Sequence, residues 1–154
     1  MKDVTLLFLR RQDQVLLAMK KRGFGEGKWN GVGGKVESDE TIEAAAAREC
    51  QEEIGVQPHD LQKIGMIEFF MTHDPAFGHR GHIFVTNTWI GEPHETEEMR
   101  PQWFNEADIP YDGMWSDDRE WLPLLLADKP FHGTVTVGPG DVLVECRLTP
   151  GAAS

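Results

Sequence analysis

The sequence has few cysteines and no long apolar run, and each shortage excludes a class of protein. Its two cysteines, Cys50 and Cys146, are too few for a disulfide framework and form no metal-binding pattern, so we expect both to be reduced. No stretch of about 18 apolar residues is present. The N-terminus reads VTLLFL between charged residues, which is unlike a secretory signal. A cytoplasmic protein with no membrane partner is therefore expected.

Basic residues are scarce as well. The 15 lysines and arginines face 26 acidic residues, which gives a formal net charge of −11 at pH 7. A surface of that sign repels DNA and RNA, so polymeric nucleic acid is disfavoured as a partner. A small polyphosphate is compatible with it, because a metal ion and a few local lysines can hold such a ligand. The basic run Lys20-Lys21-Arg22 precedes a glycine-rich loop and is either a phosphate clamp or a charged turn.

What is present suits one globular domain of 154 residues with 40% apolar content. The patterns predict strands at 5–9, 15–19, 64–71, 82–89, 102–104, 135–137 and 142–148, and helices near 41–54 and 118–127. We expect residues 72–81 to form a loop between two of the strands. This pattern predicts an α+β fold, with a monomeric domain over residues 1–149 and a flexible tail at 150–154.

The segment from residue 41 to residue 54 has the composition of a helix. Ala44 to Ala47 are strong helix formers, and Gly55 provides a stop. Asp39 and Thr41 are alternative caps, and the sequence alone does not choose between them. At about 100° per residue, one face of this helix is an apolar stripe of Ile42, Ala46, Cys50 and Ile54.

Three carboxylates, Glu49, Glu52 and Glu53, fall on another face of the same helix. Like charges at these spacings repel, and the helix dipole is also negative at this end. A divalent cation such as Mg²⁺ would relieve both effects, with carbonyls, waters and substrate phosphates as further ligands. The alternative is a solvated acidic face in which Arg48 partners one acid. The glycines at residues 31–34 favour the metal and diphosphate site, since they let the backbone approach a ligand closely.

Residues 34–56 read GKVESDETIEAAAARECQEEIGV, and their spacing resembles the Nudix box. Proteins with this motif are hydrolases that cut nucleoside diphosphates linked to another group. The chain departs from the motif at Cys50, which takes an aliphatic position, a change that a buried cysteine tolerates. The resemblance implies an α/β/α sandwich with a mixed β-sheet, and Mg²⁺ as the cofactor, for which Mn²⁺ can substitute.

The resemblance also implies roles for the clustered acids. Glu53 would orient or deprotonate the attacking water, while Glu49 would be the main metal ligand and Glu52 a further one. Gly33 would offer its carbonyl to the metal. Arg48 would position the glutamates rather than touch the substrate.

A metal site of this kind often recruits an acid from elsewhere in the chain. The candidate is Glu98, and Glu95 and Glu97 are competing choices, although four acids in one loop would otherwise be interpreted as solvated. Glu40 lies at a fixed position of the box, and we expect it to support the loop and the start of the helix.

Segments outside the box extend the resemblance to the animal-type branch of the family, which acts on oxidised purine nucleotides. They are MKKRGFGEGKWNGVGGKVE at 19–37, EEMRPQWF at 97–104, DGMWSDDREWLPLLL at 112–126 and FHG at 131–133. This likeness implies hydrolysis of 8-oxo-dGTP, and also of 2-oxo-dATP, to the monophosphate and pyrophosphate, which sanitises the nucleotide pool. The implied substrate-binding residues are Thr5, Lys20, Phe24, Asn30, Gly33, Gly34, Lys35, Met99, Trp115, Asp117 and Asp118.

Within that set, Trp115 would stack on the base, and Asn30 with Asp117 and Asp118 would read its edge. Adjacent aspartates near aromatic surface should titrate as a coupled pair, so one carboxyl can stay protonated and donate a hydrogen bond. The competing interpretation of MWSDDREW is a helix start with a capping aspartate and a tryptophan in the core. Met71 stands where the resemblance leads us to expect an aromatic residue of the pocket. The resemblance therefore specifies the reaction more closely than it specifies the preferred base.

Two other functions compete with this one. The first is a Nudix hydrolase of broader or different nucleoside-diphosphate-linked substrates, and the second is a non-catalytic nucleotide-binding regulator. The intact Glu49, Glu52 and Glu53 argue against the regulator. A zinc site at His73, His79 and His82 is disfavoured, because no cysteine accompanies them and their spacing is irregular.

Overall fold

The computed structural model describes residues 1–153, which contain ten strands and two α-helices. In chain order they are β1 (Lys2–Arg11), β2 (Gln14–Lys20), β3 (Trp29–Asn30), α1 (Ile42–Ile54), β4 (Gln57–His59), β5 (Gln62–Met71), β6 (Asp74–Thr86), β7 (Thr88–Ile90), β8 (Met99–Asn105), α2 (Asp118–Leu126), β9 (Phe131–Gly138) and β10 (Val142–Pro150). Neither helix is long and apolar enough to cross a membrane.

Eight of the strands form one mixed sheet in the order β10-β9-β5-β6-β1-β2-β3, with β8 also paired to β2. The pairs β1/β6 and β5/β9 are parallel, and the remaining pairs are antiparallel. The strands β4 and β7 form a separate two-stranded sheet. A mixed sheet of this kind confirms the predicted α+β fold.

Each helix packs against a different part of the core, which confirms the predicted α/β/α sandwich. Ala46, Cys50 and Ile54 of α1 are fully buried in one apolar cluster with Leu7 and Phe84. The second cluster contains residues of α2 together with residues of β1, β6 and β9: Trp121, Leu122, Leu125, Phe8, Ile83 and Val135.

Thr41, and not Asp39, caps α1. Its Oγ1 accepts a hydrogen bond of 3.1 Å from the backbone N–H of Ala44, which satisfies one of the free donors of the first turn. Gly55 ends the helix in the left-handed conformation with φ of 73°, and its N–H bonds the carbonyl of Gln51. These two caps fix where the acidic turns of α1 lie.

The loop predicted at residues 72–81 is wrong. Only Thr72 and His73 form a turn, and β6 begins at Asp74. The segment contains Pro75 and Gly78, which disfavour a strand locally. Pairing with β5 nevertheless extends the strand to Asp74, which lies opposite Met71, and from His79 onward β1 pairs with it as well. Strand pairing therefore outweighs the local preference for a loop.

The other end of the sheet extends past the expected domain boundary. Pro150, assigned to the tail by the sequence, is the last residue of β10 and pairs with Phe131. A proline can end an edge strand because its missing N–H is not needed there. The next residue, Gly151, donates its N–H to the carbonyl of Pro130 at 2.9 Å.

Candidate active site

The glycine loop at residues 31–34 lies directly against β1. Val32 exchanges two backbone hydrogen bonds with Leu7, and the carbonyl of Gly34 accepts one from the N–H of Thr5 at 2.9 Å. A Cβ atom on Gly33 would lie 1.8 Å from the carbonyl oxygen of Thr5, so only glycine fits there. The close approach brings the backbone of this loop to the last turn of α1.

Glu53, in that last turn, is the buried acid of the box, with 7% of its surface exposed. Its Oε1 accepts a hydrogen bond of 2.8 Å from the N–H of Gly33. The pKa of Glu53 is raised to about 7, mainly by burial and also by the charge of Glu49, although the Gly33 N–H and Lys20 act in the opposite direction. The glycine loop therefore holds the Glu53 carboxyl in place, and the nearby positive charge does not offset the effect of burial on its pKa.

Arg48 holds the neighbouring acids. Its Nη1 lies 2.9 Å from Oε1 of Glu49 and its Nη2 lies 2.7 Å from Oε1 of Glu40. The pKa of Glu40 falls to about 2 because of this arginine and of the N–H of Glu37, which also bonds the carboxylate. Burial raises the pKa of Glu49. Glu52 is different, because its side chain is 58% exposed and only approaches Arg48 to 3.4 Å.

Glu98 is one of the acids in the loop before β8 that compete for the role of a further metal ligand. Its negative charge contributes to the raised pKa of Glu53. In this structure Glu98 bonds Arg22, which lowers the pKa of Glu98, while Glu95 pairs with Lys21. Among residues 1–153 no three acids, histidines or cysteines are close enough together to form a complete metal site.

The residues nevertheless fit a hard divalent cation. Burial raises the pKa of Glu53 and of Glu49 by more than Lys20 and Arg48 lower them, so a cation would further stabilise both ionised carboxylates. A Cβ atom on Gly34 would lie 2.6 Å from the carboxyl carbon of Glu49, so the glycine leaves room for that carboxylate.

A cleft with a volume of about 290 Å³ runs from this acidic turn to the start of α2. Most of its wall is apolar, and its polar groups are few. Its lining includes Thr5, Lys20, Asn30, Gly33, Gly34, Glu53 and Met99, together with Phe24, Met114, Trp115, Asp117 and Asp118. Two predicted groups of residues that are far apart in sequence therefore share one cavity.

Asp117 and Asp118 are both 6% exposed at the α2 end of the cleft. Asp117 Oδ2 accepts a hydrogen bond of 2.7 Å from the indole N–H of Trp121, and Asp118 Oδ2 accepts one of 3.0 Å from the N–H of Trp115. Burial raises the pKa of both, and the charge of Asp117 raises that of Asp118 further. The side chain of Asp117 makes no capping bond to α2, so the capping interpretation is wrong for this residue.

Trp115 has an aromatic neighbour and a cationic one. The ring of Phe24 stacks on it with centroids 5.0 Å apart, and Nζ of Lys28 lies 4.9 Å from its centroid. Phe24 itself is 65% exposed, which is unusual for a residue of this size. Asn30 donates from Nδ2 to the carbonyl of Lys28 at 3.0 Å, which orients its amide in the cleft.

Four predicted site residues lie outside the cleft lining: Lys35, Glu49, Glu52 and Glu98. Lys35 is exposed, and its carbonyl accepts a hydrogen bond of 3.1 Å from Arg48. Glu52 faces solvent because it lies about 60° around the helix from Glu49, on the side away from Glu53. The cleft also excludes Glu98, whose carboxylate turns towards Arg22.

The structure adds residues that the sequence interpretation missed. Asp141, in the turn between β9 and β10, lines the cleft and accepts hydrogen bonds from Ser116, at 2.8 Å from the N–H and 2.9 Å from Oγ. Phe77 and His79 line it from β6. No local pattern marks Asp141, since its contact spans 25 residues. Strand alternation could have placed Phe77 and His79 on one face.

The geometry agrees with comparisons to known proteins. The family described as NUDIX domain matches residues 1–125, so the chain belongs to that family and is a Nudix hydrolase. It is 48% identical over 147 residues to the oxidized purine nucleoside triphosphate hydrolase of Danio rerio, covering 96% of this chain and 94% of that protein. The Mus musculus protein of the same name is 49% identical over 144 residues, covering 94% and 92%.

A solved structure shows the same fold. The MutT protein from Bacillus halodurans superposes with a TM-score of 0.85 and 26% sequence identity, over 96% of this chain and 97% of that one. The agreement extends over the whole sheet and both helices, so the similarity is not confined to the box.

Proposed function

We propose that the protein hydrolyses oxidised purine nucleoside triphosphates, 8-oxo-dGTP and also 2-oxo-dATP, to the monophosphate and pyrophosphate, and so sanitises the nucleotide pool. One observation carries the proposal. A single cleft joins Glu53 and the glycine loop at one end to Trp115 and the Asp117/Asp118 pair at the other. The names of the zebrafish and mouse relatives support the same substrate class.

In this proposal the α2 end of the cleft holds the base. Trp115 stacks on the flat purine, and Met99 and Phe24 border it. Burial raises the pKa of both Asp117 and Asp118, which favours a protonated carboxyl that can donate a hydrogen bond to the purine edge. Asn30 offers both a donor and an acceptor to the same edge.

The acidic end of the cleft performs the reaction. Glu53 accepts a proton from the attacking water as the oxygen bridge between the α- and β-phosphates breaks. The N–H of Gly33 holds the Glu53 carboxylate in position for this step. Lys20, which lines the cleft, binds the phosphates.

Glu49, Glu52, Glu98 and the carbonyl of Gly33 would hold Mg²⁺ or Mn²⁺ beside Glu53. Such an ion neutralises charge on the phosphates and lowers the pKa of bound water. Glu98 exchanges Arg22 for this role, and Arg48 keeps Glu49 oriented. Gly34 and Lys35 follow along the loop and lie beside the phosphate end.

The proposal includes a monomeric protein of one domain that acts in the cytoplasm on a small-molecule nucleotide. It does not include a membrane or a polymeric nucleic acid, because the net charge of −11 disfavours the latter.

A panel of nucleotides tests the proposal. With Mg²⁺ present, kcat/KM is measured for 8-oxo-dGTP, 2-oxo-dATP, dGTP, dATP, a nucleotide sugar and a dinucleoside polyphosphate, and the released phosphate or pyrophosphate is identified. The two oxidised nucleotides should give the highest kcat/KM and release pyrophosphate. A nucleotide sugar or dinucleoside polyphosphate cleaved faster than both would replace this function with the broader one. Nucleotide binding without turnover would indicate the regulator.

A further inference from the structure

The β5–β6 hairpin forms one wall of the cleft. Phe69 of β5 and Phe77 and His79 of β6 all line it. His79 pairs with Lys2 of β1 in a parallel register in which Ile83 pairs with Leu6. Because side chains two and four positions apart share a face of a strand, His79 projects on the same face as Ile83, towards the cleft.

His79 is a polar residue with no protein partner in this wall. Its Nδ1 is shielded from solvent and forms no hydrogen bond with any of residues 1–153. The ring of Phe77 packs beside it, with its centroid 4.1 Å from that of the imidazole. A buried polar atom without a hydrogen bond is costly, so an imidazole in the cleft wall that turns towards a ligand gains a bond that the protein does not provide.

The surroundings of His79 identify which part of a ligand it contacts. Burial, followed by the charges of Lys2 and Lys35, lowers the pKa of His79, so the ring is neutral at pH 7 and can either donate or accept a hydrogen bond. A neutral ring beside Phe69 and Phe77 suits the edge of a flat base better than a phosphate.

The hairpin also touches the opposite side of the cleft. The rings of Phe77 and Phe24 are 6.4 Å apart between centroids, and Phe24 stacks on Trp115. Three separate segments of the chain thus meet around the cleft through aromatic rings. A base that stacks on Trp115 comes within reach of the hairpin.

We propose that His79 is a specificity-determining residue, and that its imidazole forms a hydrogen bond with the nucleobase held in the cleft. The inference rests on the proposed function for the kind of substrate, and it adds a second base-reading wall to the Asp117/Asp118 pair.

Two substitutions and one control test it. His79→Leu removes both ring nitrogens and keeps an apolar side chain, and His79→Gln keeps a donor and an acceptor. His73→Leu changes an exposed histidine in the turn of the same hairpin and serves as the matched control. Melting temperatures establish that each variant is folded. The measurements are kcat and KM for 8-oxo-dGTP, 2-oxo-dATP, dGTP and dATP.

His79→Leu should raise KM for the preferred base by roughly 3-fold to 10-fold and change the ratios of kcat/KM among the four bases. His79→Gln should recover part of this effect, and His73→Leu should match the wild type. A purely structural role would lower the melting temperature and leave the ratios unchanged. Unchanged ratios in a folded His79→Leu protein overturn the inference, as does an equal loss on all four bases.

The same experiment separates this inference from the proposed function. Wild-type protein that prefers a nucleotide outside the oxidised purines overturns the proposed function. The comparison of wild type with His79→Leu is then made with that nucleotide and with analogues that differ only in the base. A changed ratio still supports His79, and an unchanged ratio removes it. Wild-type protein that binds no nucleotide overturns both.

Discussion

The backbone N–H of Gly33 donates a hydrogen bond of 2.8 Å to Oε1 of Glu53, which ties the glycine loop to the last turn of α1. The bond fixes one carboxylate oxygen of a side chain that lines the cleft. The same bond lowers the pKa of Glu53 by stabilising its ionised form, although burial raises that pKa by more. A group that must orient water gains precision from such a fixed position.

Replacing Glu53 should therefore affect turnover far more than binding. A general base or a water-positioning group contributes roughly 10² to 10⁴ in rate, so Glu53→Gln should lose about that much in kcat while still folding and binding nucleotide. Glu43→Gln is the matched control, because Glu43 is exposed in the first turn of the same helix. Steady-state kinetics and nucleotide titration make the test. If Glu53→Gln keeps nearly the wild-type kcat and Glu52→Gln does not, the roles of the two glutamates are reversed.

Removal of divalent metal should abolish activity. Burial raises the pKa of Glu49 and Glu53 despite Arg48 and Lys20, and a bound cation would stabilise both ionised carboxylates only in the folded protein. Excess EDTA should stop turnover, Mg²⁺ or Mn²⁺ should restore it, and either ion should raise the melting temperature. The melting temperature of Glu49→Gln should respond less to metal than that of the wild type. Undiminished turnover in excess EDTA contradicts a metal-dependent mechanism.

Local signals account for the parts of the fold that were predicted correctly. The cap at Thr41, the stop at Gly55 and the apolar stripe of α1 depend on residues within a few positions of one another, so the sequence displays them directly. The carboxylate cluster follows from the same helical geometry. Only Glu52 turns to solvent, because at about 100° per residue it lies on the side of α1 opposite the buried apolar stripe.

Long-range contacts account for what was missed. Asp141 contacts Ser116 across 25 residues, and the start of β6 at Asp74 depends on its pairing with β5, which β1 joins only from His79. Asp117 was a reasonable cap from its place before α2, but the indole of Trp121 bonds its carboxylate instead. Each of these three contacts depends on tertiary packing, which overrides local preference. A pattern of a few neighbouring residues therefore does not predict them.

The buried Asp118 should make stability depend on pH. Burial and the charge of Asp117 raise its pKa well above 3.8, and among nearby groups Asp141 also raises it whereas Lys28 and the N–H of Trp115 lower it. With a folded pKa above the unfolded one, the contribution of this group to stability is complete below 3.8 and is lost as pH rises through the folded pKa. Asparagine does not titrate, so Asp118→Asn should gain stability relative to the wild type as pH rises.

Melting temperatures of both proteins across acid and neutral pH measure this difference. Asp13→Asn, at an exposed turn position, is the matched control and should follow the wild-type curve. A difference between Asp118→Asn and wild type that stays constant over the whole range would show that Asp118 does not titrate as its burial requires.

The same pair of aspartates should control the choice of base. If Asp117 and Asp118 donate to the purine edge, replacing either with asparagine alters a hydrogen bond at a desolvated site. The expected loss is about 1 to 3 kcal/mol in kcat/KM for an oxidised purine, roughly 5-fold to 150-fold. Asp117→Asn should not show the loss of about 1 kcal/mol typical of a removed helix cap, because this side chain makes no capping bond. Measuring kcat/KM for 8-oxo-dGTP and dGTP, together with the melting temperature, tests both statements. Unchanged selectivity in both variants would remove the base-reading role from the pair and leave Trp115 and Asn30 as the residues that recognise the purine.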